Sequence, residues 1–465
     1  MHLAGALEPA QEREALAAAR AEGERVLAAD QLLERSQESG VSGHGREVGG
    51  AVGPLQLGIV GVFGKSVFEP ERLTLPEMLQ NQGYHTACIG KWHLGWDWNA
   101  IRVKEGNGPD CFDWSKPIPD GPLAHGFDHY FGDTVINFPP YAWIEDDRMI
   151  QTPDTMMDTS KWPEIKEGNW ECRPGPMVTG WNPYEVMPTL GDKAVAYIAS
   201  RKTEQQPFFL FFAYPSPHAP IIPNDEFDGK SEAGPYGDFV FETDHIAGRI
   251  MEAIDRAGLS DNTIVIFTAD NGPEHYAYPR EQAFGHWSAK PLRGLKRDIY
   301  EGGHRVPFIV RWPGVTEPGT VKSALVSQID FFATFASHLG VDLPDDAAED
   351  SHDMLAYMKG EASRVRESHI HNTFSHSWAI RDGAWLLIDA KTGRRSRRGV
   401  AEWEERNGYR DDDLPVELYN LDEDLGQRKN LAAEHPDKVL AMRALMKKIR
   451  EDGRTRSIDS GSTTP

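Results

Sequence analysis

The chain has 465 residues, 39% hydrophobic and 10% aromatic, enough apolar material for one large domain plus a smaller one, or two of moderate size. Its 49 basic and 72 acidic side chains leave a formal charge of −23, which repels anionic membranes and excludes nucleic acid as a partner. Cys88, Cys111 and Cys172 are an odd number without CxxC spacing, which suggests neither a disulfide framework nor a zinc ribbon; no apolar run approaches the ~20 residues of a membrane span.

Residues 1–56 differ from the rest: Ala, Glu, Arg and Gly dominate, aromatics are missing, and a Gly-rich tract closes the segment. Residues 9–38 read as a solvated helix or a loosely attached arm. No basic segment followed by an apolar one opens the chain, so no export signal is expected and the compartment stays unassigned. GIVGVFGKS (58–66) nearly spells a phosphate-binding loop, but Ile59 stands where the first glycine belongs and Pro70 interrupts the helix that should follow, so a nucleotide site is not expected.

Residues 74–82 read as a helix capped by Thr74, with Glu77 three positions on and Gly83 as its stop. A short strand over 84–89 exits into GKWHLG (90–95), which places Lys91 and His93 just past a strand end. Residues 96–188, rich in Pro, Gly, Trp and Asp with little periodicity, read as long loops over the strand ends. Regular alternation follows: helix 190–202, strand 207–214, helix 239–257, strand 263–269. That order predicts a mostly parallel sheet sandwiched by helices.

The strand FFLFFAY exits into PSPHAP and so brings His218 to the same kind of edge. TIVIFTADNG (263–272) is β-branched or aromatic from Thr263 to Thr268, as expected of a strand buried on both faces, and then stops at Asp270, Asn271 and Gly272. Alone, that ending is an ordinary turn. At the carboxyl end of a strand in an open α/β sheet, where ligands bind, a carboxylate beside an amide carbonyl suits a hard cation. Residues 306–312 make another strand, after a loop holding Arg293, Lys296, Arg297, Glu301 and His304, and 328–339 another helix. Beyond about 363 the period shortens to strands at 369–374, 378–382, 384–389 and 417–420 with a helix over 436–450: a small antiparallel C-terminal subdomain. The basic run 394–398 reads as a solvated loop. His369, His371 and His376 could share a strand face as zinc ligands do, but ordinary strand positions or a substrate loop fit them better. The expected units are 1–56, 57–366 and 367–465.

Lys91, His93, His218, Asp270, Asn271 and Lys296 each follow or face the carboxyl end of an expected strand. Two lysines and two histidines beside a cation site suit an oxyanion of spread charge, sulfate or phosphate. At this point the chain resembles the sulfatase family of the alkaline-phosphatase-like superfamily. The resemblance is carried by TLPEMLQNQGYHTACIGKWHLG (74–95), FFAYPSPHAP (211–220), TIVIFTADNG (263–272), PLRGLKRDIYEGGHRVPFIVRWPG (291–314) and ELYNLDEDLGQRKNL (417–431). It implies a sulfuric ester hydrolase of arylsulfatase-like type, acting on an aryl or carbohydrate sulfate in a sulfated small molecule or glycan. It also implies a calcium ion (Ca2+) and a formylglycine made from Cys or Ser. By the same resemblance Asp270 and Asn271 match metal ligands, and Lys91 and Lys296 the sulfate-contacting lysines. His93 matches the histidine near the formylglycine hydroxyls, and His218 the one facing the leaving-group oxygen.

The match stops at the start. Family members open with a strand ending Asp-Asp-x-Gly, then a Cys/Ser-x-Pro-x-Arg helix start that carries the nucleophile, and this chain has neither. Asp146-Asp147 and Asp345-Asp346 sit in loop-like contexts, and none of the cysteines begins the nucleophile motif. Residues 1–56 occupy the place of the missing part, as a truncated or misread start or a real replacement. The expectation is a sulfatase by family that is inactive as written, with weakly held calcium and no formylglycine. The alternatives are a phosphoryl hydrolase of the same superfamily and a non-catalytic pseudoenzyme that binds sulfated ligands.

Overall fold

The computed structural model describes residues 60–69, 71–373, 377–395, 400–409 and 412–457. The arm 1–56, His376 and residues 396–398 of the basic run lie outside them. In chain order the helices are α1 (Leu75–Asn81), α2 (Val186–Arg201), α3 (Gly234–Ala257), α4 (Ala277–Phe284), α5 (Glu301–His304), α6 (Asp330–Leu339), α7 (Leu355–Met358), α8 (Val400–Arg406) and α9 (Pro436–Asp452). The strands are β1 (His85–Gly90), β2 (His129–Gly132), β3 (Ile144–Glu145), β4 (Arg148–Met149), β5 (Thr155–Met156), β6 (Pro176–Met177), β7 (Phe208–Ala213), β8 (Val265–Thr268), β9 (Phe308–Arg311), β10 (Ser368–Thr373), β11 (Ser377–Asp382), β12 (Trp385–Ile388) and β13 (Glu417–Asn420).

The expected capping box opens α1: Glu77 N donates to Thr74 Oγ1 (3.2 Å) and Thr74 N to Glu77 Oε2 (2.7 Å), which satisfies two amides that a helix start leaves over. Beyond it runs the central sheet, in the order β4-β3-β2-β1-β7. Its long ladders are parallel, with Cys88 opposite Tyr130 on one side and Phe211 on the other, while β3 and β4 add a short antiparallel edge. Successive side chains of a strand point to opposite faces. Ala87, Ile89, Leu210 and Phe212 accordingly pack with Leu190, Phe239 and Ile246 of α2 and α3, whereas Cys88 and Phe211 pack with Trp92, Trp96 and Tyr130. The result is an α/β sandwich whose parallel neighbours end at one edge.

Two expectations need correction here. Residues 96–188 are not loops alone: HYFG forms β2 inside the central sheet, and β3 to β6 are short two-residue strands. The strand was missed because it is short and set among turn residues. The second correction concerns β8, which is half-buried along its whole length instead of buried on both faces. It pairs antiparallel with β9, Val265 opposite Arg311, in a separate sheet, and among the described residues no strand hydrogen-bonds it to β7. Helices nevertheless span the two. Leu210 and Val265 pack with Ile254 and Ala257 of α3 on one face; on the other, Phe335 of α6 belongs both to the cluster of Phe209 and to that of Ile264 and Ile266. Phe208 to Phe212 are likewise only half-buried.

The C-terminal sheet has the order β10-β11-β12-β13, antiparallel throughout, as expected. Period two again decides its faces. Trp378, Ile380, Leu387 and Leu418 pack on Val439, Met442 and Met446 of α9, and Ala379, Leu386, Ile388 and Tyr419 pack on Ile299 and Tyr300. The subdomain therefore forms a wall behind the loop that carries Lys296.

Candidate active site

Because β1 and β7 are parallel neighbours, their exits leave the sheet together. Lys91 N donates to Ala213 O (3.0 Å), so the ladder continues one residue beyond the strand. Gly90 makes this possible: its φ is +116°, and a Cβ there would lie 2.0 Å from Ala213 O. Lys91 and His93 are buried, with relative exposures of 4% and 8%. His93 Nε2 lies 2.7 Å from Val60 O, an acceptor only, so this nitrogen carries the proton. At the exit of β7 the same reasoning puts a proton on His218 Nδ1, 2.6 Å from Ala219 O. In the neutral ring Nε2 then holds the lone pair that can take or return a proton.

The exit of β8 and the loop before β9 are locked together by glycines. Gly272 N donates to Gly303 O (3.1 Å), and a Cβ on Gly272 would sit 1.7 Å from Gly302 O. Lys296, 6% exposed, is held by its amide to Pro273 O (2.8 Å). Asp298 ties the loop shut by accepting from Leu295 N (2.9 Å) and Arg395 N (2.6 Å). Beneath it Arg293 pairs with Glu404 (2.7 Å) and stacks over the rings of Tyr300 and Tyr409. Arg394 also pairs with Glu404. The described residues of the expected solvated loop are thus folded onto the structure.

One cleft of about 460 Å³, open to solvent, collects His218, Asn271 and Lys296. Asp270 immediately precedes Asn271; Lys91 and His93 are buried at the neighbouring exit and are not among the lining residues. Tyr236, Glu274, Tyr276 and Arg280, none of them among the residues expected from the sequence, also line it. Arg280 stacks on Tyr236 (3.5 Å) and pairs with Glu167 (3.0 Å), while the Tyr276 hydroxyl donates to Glu171. The loop holding Glu167 and Glu171 is thereby tied to the cleft wall. Glu274 could have been suspected, since it leaves the same strand exit as Asp270. The other three carry no local signal, being brought in by α3, α4 and a turn.

As metal ligands, Asp270 and Asn271 fit in kind and fall short in number. Both Asp270 carboxylate oxygens and Asn271 Oδ1 are shut off from solvent; Asn271 Nδ2 donates to Gly272 O (2.9 Å), while Oδ1 accepts nothing from a described residue. Such a buried acceptor suits a cation. Calcium, however, takes 6–8 oxygens, and among the described residues no group of three or more His, Cys, Asp or Glu could hold a metal. The residues present do not make a calcium site by themselves. Asp146 is engaged by His129 (2.8 Å) and Tyr130 N (3.1 Å). The cysteines supply no ready nucleophile: burial pushes the Cys88 thiol far up and that of Cys172 to about 12, and Cys172 is followed by Arg-Pro-Gly-Pro.

The Sulfatase family model matches residues 54–341. The chain belongs to the sulfatase family. It is similar to an N-acetylgalactosamine-6-O-sulfatase of Bacteroides thetaiotaomicron, 32% identical over 81% of this chain and 77% of that protein. It is also similar to the human N-acetylgalactosamine-6-sulfatase, 32% identical over 60% of this chain and 47% of that one. The chain therefore spans about half the length of the mammalian N-acetylgalactosamine-6-sulfatases it matches. Among solved structures, a Bacteroides thetaiotaomicron protein studied for the metabolism of multiple glycosaminoglycans superposes with TM-score 0.68 at 28% identity, over 84% of each chain. A sulfatase from Pseudoalteromonas sp. shares the fold, with TM-score 0.61 at 21% identity over 85% of this chain and 77% of that one. The sulfatase fold and enzyme class are thus those of this chain's family.

Proposed function

We propose that this chain descends from carbohydrate sulfate hydrolases and, as it stands, binds a sulfated sugar with little or no turnover. One observation carries the reading: His218 and Asn271, from the exits of β7 and β8, and Lys296, from the loop before β9, meet in one cleft walled by two tyrosines. Lys296 supplies positive charge for the sulfate oxygens and His218 a proton for the departing sugar oxygen, while Lys91 and His93 add a charge and a polar group from the neighbouring exit, behind the cleft wall. Relatives named for N-acetylgalactosamine 6-sulfate support an N-acetylhexosamine 6-sulfate as ligand. Asp270 and Asn271 alone supply too few oxygens to hold calcium tightly.

Low turnover follows from chemistry. No Cys-x-Pro-x-Arg or Ser-x-Pro-x-Arg occurs in the sequence, so there is no formylglycine to form the covalent sulfate intermediate. Charge neutralisation and positioning alone leave only residual rate. The test uses the unaltered chain of 465 residues. N-acetylgalactosamine 6-sulfate should bind and the unsulfated sugar should not. Aryl sulfate turnover should equal that of Lys91→Ala and His218→Ala, and millimolar calcium should shift the melting temperature by less than about 2 °C. Turnover well above those variants, or tight calcium binding, would show that a nucleophile and ligands have been overlooked. Sulfated and unsulfated sugars binding alike would end the proposal.

A further inference from the structure

Glu274 lines the cleft together with His218, Asn271 and Lys296. Arg297 Nη1 donates to both of its oxygens, and His275 donates to Oε1 from its backbone amide (2.8 Å) and from Nδ1 (2.9 Å). The carboxylate is therefore fixed in place. Burial works to raise its pKa, yet Arg297, the His275 bond and Lys296 prevail and hold it well below the usual carboxylate range. Arg297 is anchored in turn, since Thr373 Oγ1 of β10 donates to its carbonyl (2.5 Å).

A permanent negative charge is unexpected in a cleft whose lysine and histidine collect an anion. Glu274 Oε1 accepts from Arg297 and twice from His275, whereas its Oε2 accepts from Arg297. What it offers a ligand is an acceptor for hydroxyl or amide N–H donors, and repulsion for a second anion. We propose that Glu274 is a specificity residue that restricts the cleft to sugars bearing a single sulfate. It accepts a hydrogen bond from a ring substituent of the sugar and rejects a second sulfate or a carboxylate there. This deepens the sulfated-sugar reading and rests on it.

The experiment is calorimetric titration of the full chain with N-acetylgalactosamine 6-sulfate and with its 4,6-disulfate. The wild type should prefer the monosulfate by about tenfold, the scale of one like-charge contact at partial solvent exposure. Glu274→Gln, of the same shape without the charge, should lose that preference by binding the disulfate more tightly, and Glu274→Asp should keep it. Equal wild-type affinities, or a preference untouched by Glu274→Gln, would overturn the role of Glu274 and leave the sulfated-sugar reading standing. Equal wild-type affinities overturn the role even if the Gln variant does not fold. If neither sugar binds, the parent reading fails and this one with it.

Discussion

Two regions on either side of the cleft are built to different standards. The loop 293–304 is clamped: Arg293 and Glu404 are buried against each other, Asp298 and Tyr300 bond to the segment that follows β12, and the whole C-terminal sheet backs it. The seam between β7 and β8 is not. Helices cover both faces there, yet both strands are half-buried and no described strand joins them. Positioning of Lys296 is secured by polar bonds and packing together, whereas the exits that carry His218 and Asp270 rely on helix packing and on the glycine lock at Gly272. Tertiary contacts can hold chain ends in place where the ladder is interrupted, at the cost of exposed apolar surface.

The clamp is most vulnerable at Arg293. Arg293→Ala leaves Glu404 buried without its main partner and should cost about 3–5 kcal/mol in urea unfolding. Arg256→Ala, which removes an exposed pair with Glu252, should change little. If the two variants unfold alike, the clamp is not what stabilises the loop. A smaller contrast sharpens the difference within the sheets. Ile89→Ala, in a strand paired on both sides and 1% exposed, should cost about 3–4 kcal/mol, and Ile266→Ala in β8 about half of that. Equal costs would mean that β8 is as closely packed as β1.

The smallest effect is a pH dependence on the clamped side. The His304 ring lies 4.3 Å from that of His371, tilted against it, and the His371 ring stacks at 6.1 Å on His369. Burial, then the neighbouring imidazoles, holds His304 well below the ordinary histidine range; burial and Arg366 do the same for His369, and burial lowers His371. The unfolded chain thus takes up protons at a higher pH than the folded one. The stability these rings contribute is complete above about pH 6.5 and is lost as pH falls below it, by about 1 kcal/mol per pH unit for each ring. Burial raises Glu417 to about 7, which acts in the opposite sense: its contribution is present below the unfolded carboxylate value and lost as pH rises toward 7. His371→Gln should flatten the acid limb of a plot of unfolding midpoint against pH. An unchanged limb would assign the acid sensitivity elsewhere.

Much of this was legible because it is local. The Thr74 box, the glycine stops, the period-two strands of the C-terminal sheet and the polar exits after apolar runs are set by backbone sterics and side-chain alternation within a few residues. The position of Lys91, His218 and Asn271 just past strand ends could be read on that ground, whereas the absence of the nucleophile motif was read from the family resemblance. Other features depend on partners far away in the chain. β2 became a central strand only because β1 offers it an edge, and β8 became half-buried because its described neighbour lies on one side alone. The Glu274 charge is set by Arg297, and the walls of the cleft by tyrosines and an arginine from separate helices and turns. Local order follows from torsional preference and periodicity, which a sequence displays directly. Edge pairing, burial and the electrostatic state of a carboxylate depend on which distant groups arrive beside it, and only the folded chain decides that.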